Sequence, residues 1–136
     1  MDEQIEVKAM ELYFPTELPE QLAYFGAVLL ALVGLFQLVL PSSALRFAGF
    51  SVGQITPEGY GATRSHGGMQ LGLALAALFL AQDWTYLALG VSVAVGLFGR
   101  LLSLMFDRGL TIRNTLLALL QMVIAGLPLG YVLGYF

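Results

Sequence analysis

The chain has 136 residues, of which 58% are hydrophobic and only 11% charged, and a formal net charge of −3. An ordinary soluble domain is about 25% charged, and a particle this small has too much surface to hide so much apolar material. A water-soluble monomer and a disordered chain are therefore both excluded, and the absence of Cys removes disulfides and Cys-ligated metal centres.

The first twenty residues read as an acidic tail carrying Asp2, Glu3, Glu6, Glu11, Glu17 and Glu20. It lacks the basic start of a secretory signal. Ile5, Val7 and Ala9 alternate with Gln4, Glu6 and Lys8, which fits a short strand or a solvated segment. Met10, Tyr13 and Phe14 are candidates to dock on the membrane surface or on a partner subunit. Thr16 is the expected cap of the first helix, with Pro19 in its first turn.

Gaps between charged residues then mark four spans, at about residues 21–40, 65–81, 84–105 (with Arg100 near its end) and 114–136. A bilayer core of about 30 Å needs about 20 apolar residues as helix, and lipid leaves an isolated segment no other way to satisfy its backbone. The expected fold class is all-α, an integral membrane four-helix transmembrane bundle over residues 21–136 behind the tail of residues 1–20. Pro41 stops span one. The short run Ala81-Gln82-Asp83-Trp84 makes spans two and three a tight antiparallel hairpin.

Arg46, Arg64, Arg100, Arg108 and Arg113 fall on one side of that arrangement, and Lys8 alone on the other. The positive-inside rule places both termini on the outer, periplasmic side. Tyr24, Trp84, Tyr86, Tyr131 and Tyr135 would then form an outer aromatic belt.

Helices in lipid associate through close approach at small residues. Gly68, Gly72 and Ala76 recur at fourth positions in span two, as do Ala23, Ala27 and Ala31 in span one; Ser92 and Gly96, then Gly130 and Gly134, extend the pattern. The stripes suit packing within one bundle or between subunits. Gly34-Leu35-Phe36 returns as Gly96-Leu97-Phe98, and at the same offset Arg46 matches Arg108, a faint sign of a parallel duplication.

The polar residues of the spans gather in the cytoplasmic half. Gln37 lies near the end of span one, and His66 and Gln70 share a face at the start of span two. Arg100, Ser103 and Asp107 share a face at the end of span three, and Gln121 lies two turns into span four. One reading makes them structural glue, with Arg100 snorkelling to the interface. The other makes them a pocket in which Arg64 and Arg100 hold an anionic or carbonyl-bearing group, with His66 and Gln70 as hydrogen-bond partners. A quinone head group, a fatty acid or a lipid phosphate fits that chemistry.

The single His66 sits at an interface without a second imidazole, so no haem or other cofactor is expected. No catalytic constellation and no phosphate-binding glycine loop is present. The chain reads as a non-enzyme with no metal and no nucleic-acid partner.

Arg64-Ser65-His66-Gly67-Gly68-Met69-Gln70-Leu71-Gly72-Leu73 and, later, Gly99-Arg100-Leu101-Leu102-Ser103-Leu104 with Asp107 and Gly109 resemble a group of small bacterial four-helix membrane proteins. They are catalogued as domain-of-unknown-function family 4345 and are broadly DoxX-like. The resemblance covers about residues 23–131. It implies a four-helix protein of the bacterial inner membrane with a motif-rich cytoplasmic side, and it implies no activity. The chain departs from the family's pattern at His66, where an aromatic residue is expected, and in its longer acidic tail. Without Cys it lacks the means for thiol-redox chemistry.

The functional expectation is an accessory or assembly component packed against another membrane protein or a second copy of itself. The alternative is a small binding protein or carrier for a lipid, quinone or other amphiphile.

Overall fold

The computed structural model describes residues 14–107 and 110–136. Among them are five α-helices, one short 3-10 turn at Val52–Gln54 and no strand. We number the helices α1 (Leu18–Val39), α2 (Pro41–Phe47), α3 (Pro57–Leu80), α4 (Asp83–Phe106) and α5 (Ile112–Leu133). Three of them, α1, α4 and α5, are long and apolar enough to cross a membrane. They mark the chain as a membrane protein.

The helix ends follow local chemistry. Glu17, rather than Thr16, is the N-cap of α1, and Pro19 lies in the first turn as expected. Leu40 breaks the helix, and Pro41, which stops the first span as expected, begins the separate helix α2. Helix α3 starts at Pro57, eight residues before the expected span. Thr56 caps it by accepting a hydrogen bond from the Gly59 amide at 3.1 Å. Helix α5 starts at Ile112 behind the Thr111 cap and ends at Leu133, where Gly134 adopts φ +82°. The expected span to residue 136 is therefore three residues too long.

Helix α3 packs extensively on α1, and α4 on α5; α1 also packs on α5. Contact between α3 and α4 is sparse although only Ala81 and Gln82 separate them. The expected hairpin is thus tied at its turn, but its two arms diverge. Its reason lies in the partners: α3 has a better-fitting groove on α1.

That groove is made by glycines. A Cβ on Gly34 would stand 2.6 Å from the Gly67 carbonyl oxygen and from the Leu71 amide. A Cβ on Gly67 would stand 2.6 Å from the Gly34 oxygen. Ala23, Ala27, Leu30, Ala74 and Ala77 continue this core away from the glycine crossing. The close-approach stripe of α3 is therefore one residue away from the expected Gly68, Gly72 and Ala76. Gly68 meets only the tip of Leu38 at 3.9 Å, Gly72 meets nothing within 4 Å, and Ala76 is half-buried. Gly96 likewise packs against no helix backbone and faces Gln121. The two halves of the proposed repeat differ accordingly, since Gly34 sits in a helix crossing and Gly96 does not.

A second notch seats the proline of α5. Pro128 is fully buried, and a Cβ on Gly26 would lie 2.9 Å from its Cδ. Tyr86 is 1% exposed and stacks edge-on against Tyr131 at 5.7 Å. It belongs to the core and not to a surface belt, whereas Trp84 and Tyr135 are exposed. Phe14 approaches Tyr24 at 5.9 Å, and Gln21 holds the Pro15 carbonyl. The alternating stretch Ile5–Ala9, Met10, Tyr13 and Arg108 lie outside the described residues.

Candidate functional site

Divergence of α3 from α4 opens a cavity of 1210 Å³ between the two helix pairs. Ordinary small-molecule sites run to roughly 300–1,000 Å³, so this one is roomy. Helix α1 contributes Leu30, Val33 and Gln37; α3 contributes His66, Met69, Gln70, Gly72 and Leu73. Helix α4 adds Ser92, Val93, Gly96, Arg100 and Ser103, and α5 adds Asn114, Leu117, Leu120, Gln121 and Ile124. Ala44 and Phe47 of α2 border it as well. On α5 the lining runs from Asn114 to Ile124, ten residue steps, or about 15 Å at 1.5 Å per residue.

The cavity has a polar end and an apolar end. The polar end lies toward α2 and collects Gln37, His66, Gln70, Arg100, Ser103, Asn114 and Gln121. Toward the Ala81–Gln82 turn the polar side chains give way to Leu30, Leu32, Val33, Leu73, Val93 and Ile124, with Ser92 as the exception, while Phe36, Met69, Leu117 and Leu120 stand among the polar residues at the other end.

Arg100 organises the polar end. Its Nε donates to Gln121 Oε1, and its Nη1 donates to Asn114 Oδ1 at 2.6 Å. Asn114 is placed for this by the start of α5, where its amide donates to the capping Thr111 hydroxyl at 3.1 Å. Seven residues separate Asn114 from Gln121, so both face α4 from one side of α5. Gln70 lies on α3, and its Oε1 is buried with no hydrogen-bond partner among the described residues. His66 is exposed at the rim.

Six of the eight expected ligand residues, Gln37, His66, Gln70, Arg100, Ser103 and Gln121, border this cavity. Arg64 does not. It is exposed and its Nη1 donates to the Leu38 carbonyl at 2.8 Å, an acceptor left over by the break of α1 at Leu40. Its role is to cap one helix from another. Asp107 does not border the cavity either, because α4 ends at Phe106 and Asp107 is its exposed C-cap. Gly72 and Gly96, expected at helix contacts, line the cavity instead. Asn114 is the residue that sequence reasoning missed. Its spacing from Gln121 was the available signal, obscured because Asn114 was placed at the boundary of a span.

The chemistry on offer is a fixed positive charge, several amides and a hydroxyl around an apolar chamber. Among the described residues no group of His, Asp and Glu could hold a metal ion. Comparison of the chain with protein-family models, curated proteins and solved structures found no match.

Proposed function

We propose that this protein is a membrane-embedded binding protein or carrier for an amphiphile, rather than an enzyme. The head group sits among Arg100, Gln121, Asn114 and Gln70, and the chain runs toward Leu73 and Ile124. All four long helices cross the bilayer in this reading. Both termini face the outside of a bacterial inner membrane, which puts the polar end of the cavity at the depth of the inner leaflet. The likeness of Arg64–Leu73 and Gly99–Leu104 to the four-helix bacterial family agrees with that architecture and adds no activity.

The observation that carries the proposal is the polarity gradient within one cavity. A bundle held together by polar glue alone would bring Gln37, Gln70, Arg100 and Gln121 into mutual contact. Instead, Arg100 meets Gln121 but neither Gln37 nor Gln70 among the described residues; the four border 1210 Å³ of space, and the buried Gln70 amide oxygen has no partner among the described residues. About 15 Å of depth matches one leaflet of a 30 Å hydrocarbon core. The opening between α3 and α4 provides a lateral route for a chain from the lipid.

Native mass spectrometry of the protein released gently from membranes tests this. The wild type is expected to retain an amphiphile-sized adduct. Gly72→Leu, which puts a side chain where a Cβ meets nothing within 4 Å, is expected to lose the adduct while keeping its thermal stability. A wild-type protein that emerges bare overturns the proposal. A retained protein partner in place of a small molecule favours the accessory role.

A further inference from the structure

Resting on that binding role, we infer that the bound head group is anionic, a carboxylate or phosphate monoester on a long acyl chain, with Arg100 as its counter-charge. The argument is a census of charge. The acidic residues inside the described structure are Glu17, Glu20, Glu58, Asp83 and Asp107. None of them lines the cavity. The two acceptors that hold the guanidinium, Gln121 and Asn114, are neutral amides, and Arg100 has no carboxylate partner among the described residues. Amides solvate a cation and fix its direction, but they do not neutralise it.

A permanent charge inside a membrane helix is costly and is kept where something offsets it. A neutral carbonyl, such as a quinone's, would be served by uncharged donors, and Gln37 and Gln70 already supply amides to the same lining. What Arg100 adds is charge. A guanidinium has five N–H donors; two are engaged here, which leaves three for a ligand. A planar guanidinium held by two amides is pre-oriented for a carboxylate or phosphate, which it binds through paired hydrogen bonds. The start of α5 adds to the same sign of potential, since Asn114 lies in the first turn, where the helix dipole is positive. The apolar far end then sets the class, because a free inorganic anion has no use for Leu73, Val93 and Ile124.

The test is photo-crosslinking in phosphatidylcholine nanodiscs, with adducts mapped by mass spectrometry. Three diazirine-bearing probes are used: palmitate, its methyl ester and a lysophosphatidate. The wild type is expected to be labelled inside the cavity at least about tenfold more by an anionic probe than by the ester. Stronger labelling by palmitate assigns a free fatty acid, and stronger labelling by lysophosphatidate assigns a phospholipid head. Arg100→Gln, which keeps an amide donor, is expected to abolish the preference, and Arg100→Lys to retain part of it. Should Arg100→Gln fail to fold, the ester comparison on the wild type decides alone. Equal labelling by ester and acids overturns the anionic head group while leaving the amphiphile role standing. No labelling inside the cavity by any probe overturns that role itself.

Discussion

At the residue scale, one methylene-sized volume decides whether two helices meet. Gly67 and Gly68 are neighbours in sequence, but a helix turns about 100° between them. A Cβ on Gly67 would press on the Gly34 oxygen and on Gln37 Cβ, both at 2.6 Å, whereas one on Gly68 would touch only a Leu38 methyl at 3.9 Å. We therefore expect Gly67→Ala to destabilise the protein by about 1–3 kcal/mol, the usual cost of overpacking. Gly68→Ala is expected to be neutral or slightly stabilising, because Ala is the better helix former. Thermal unfolding in detergent measures both, and a Gly68→Ala loss as large as that of Gly67→Ala contradicts the assignment of the crossing. The sequence carried the small-residue signal but not its phase. A Gly–Gly pair satisfies two stripes at once, and the choice depends on Gly34 of another helix. The polar set was more legible, because few polar residues occur in the spans and depth alone groups Gln37, Gln70, Arg100 and Gln121. Depth could not separate Arg64, which reaches back to the Leu38 carbonyl, from the residues that face inward.

At the element scale, α3 is the helix that needs explaining. It has 24 residues, as many as α4, but α3 is not among the three that are long and apolar enough to cross a membrane. Its first fourteen residues carry Glu58, Arg64, His66 and Gln70, and its apolar run begins only at Leu71. From Leu71 to Leu80 is about 15 Å of helix, half a bilayer core. In the other half Gly67 is buried against α1 and Gln70 borders the cavity, whereas Glu58, Arg64 and His66 are exposed. The flanking charges Arg64 and Asp83 mark this helix in the sequence, but they misplace its start. The Thr56-Pro57 cap lies eight residues upstream, in what reads as a loop. The absence of Cys makes the crossing directly measurable. With single cysteines at Glu58, Gln82 and Leu110, an impermeant maleimide is expected to label Gln82→Cys from outside intact cells. Glu58→Cys and Leu110→Cys are expected to react only after permeabilisation. If Glu58→Cys and Gln82→Cys react from the same side, α3 does not cross.

At the scale of the whole molecule, the four long helices form two tight pairs and one loose seam. The α1–α3 pair is locked by backbone-to-backbone approach at Gly34 and Gly67, and the α4–α5 pair by Gly90 against Leu129 and by Arg100 against Gln121. The buried Pro128 in its Gly26 notch joins α1 to α5. Nothing comparable joins α3 to α4 beyond the Ala81–Gln82 turn, and the cavity occupies the space where such contacts would be. Composition and periodicity cannot reveal that seam, because the faces of α3 and α4 that leave it open mix polar residues such as Gln70 and Arg100 with small and apolar ones such as Gly72 and Val93, as a packed polar contact also would. It follows from competition among pairs, which is a property of the assembled bundle. Regions with few packed contacts open at low free energy, so the seam should be the mobile part of the molecule. Nitroxide pairs can report this through electron-spin distance measurements. Labels at Met69 and Phe98, which are 71% and 61% exposed, span the seam between α3 and α4. A control pair at Leu35 and Met69 spans the locked contact between α1 and α3. The seam pair is expected to give the broader distance distribution, and adding palmitate to narrow it while the control stays unchanged. Equally narrow distributions would mean that α3 and α4 are held rigidly apart, and a chain would then have to enter from the polar end and not from the side.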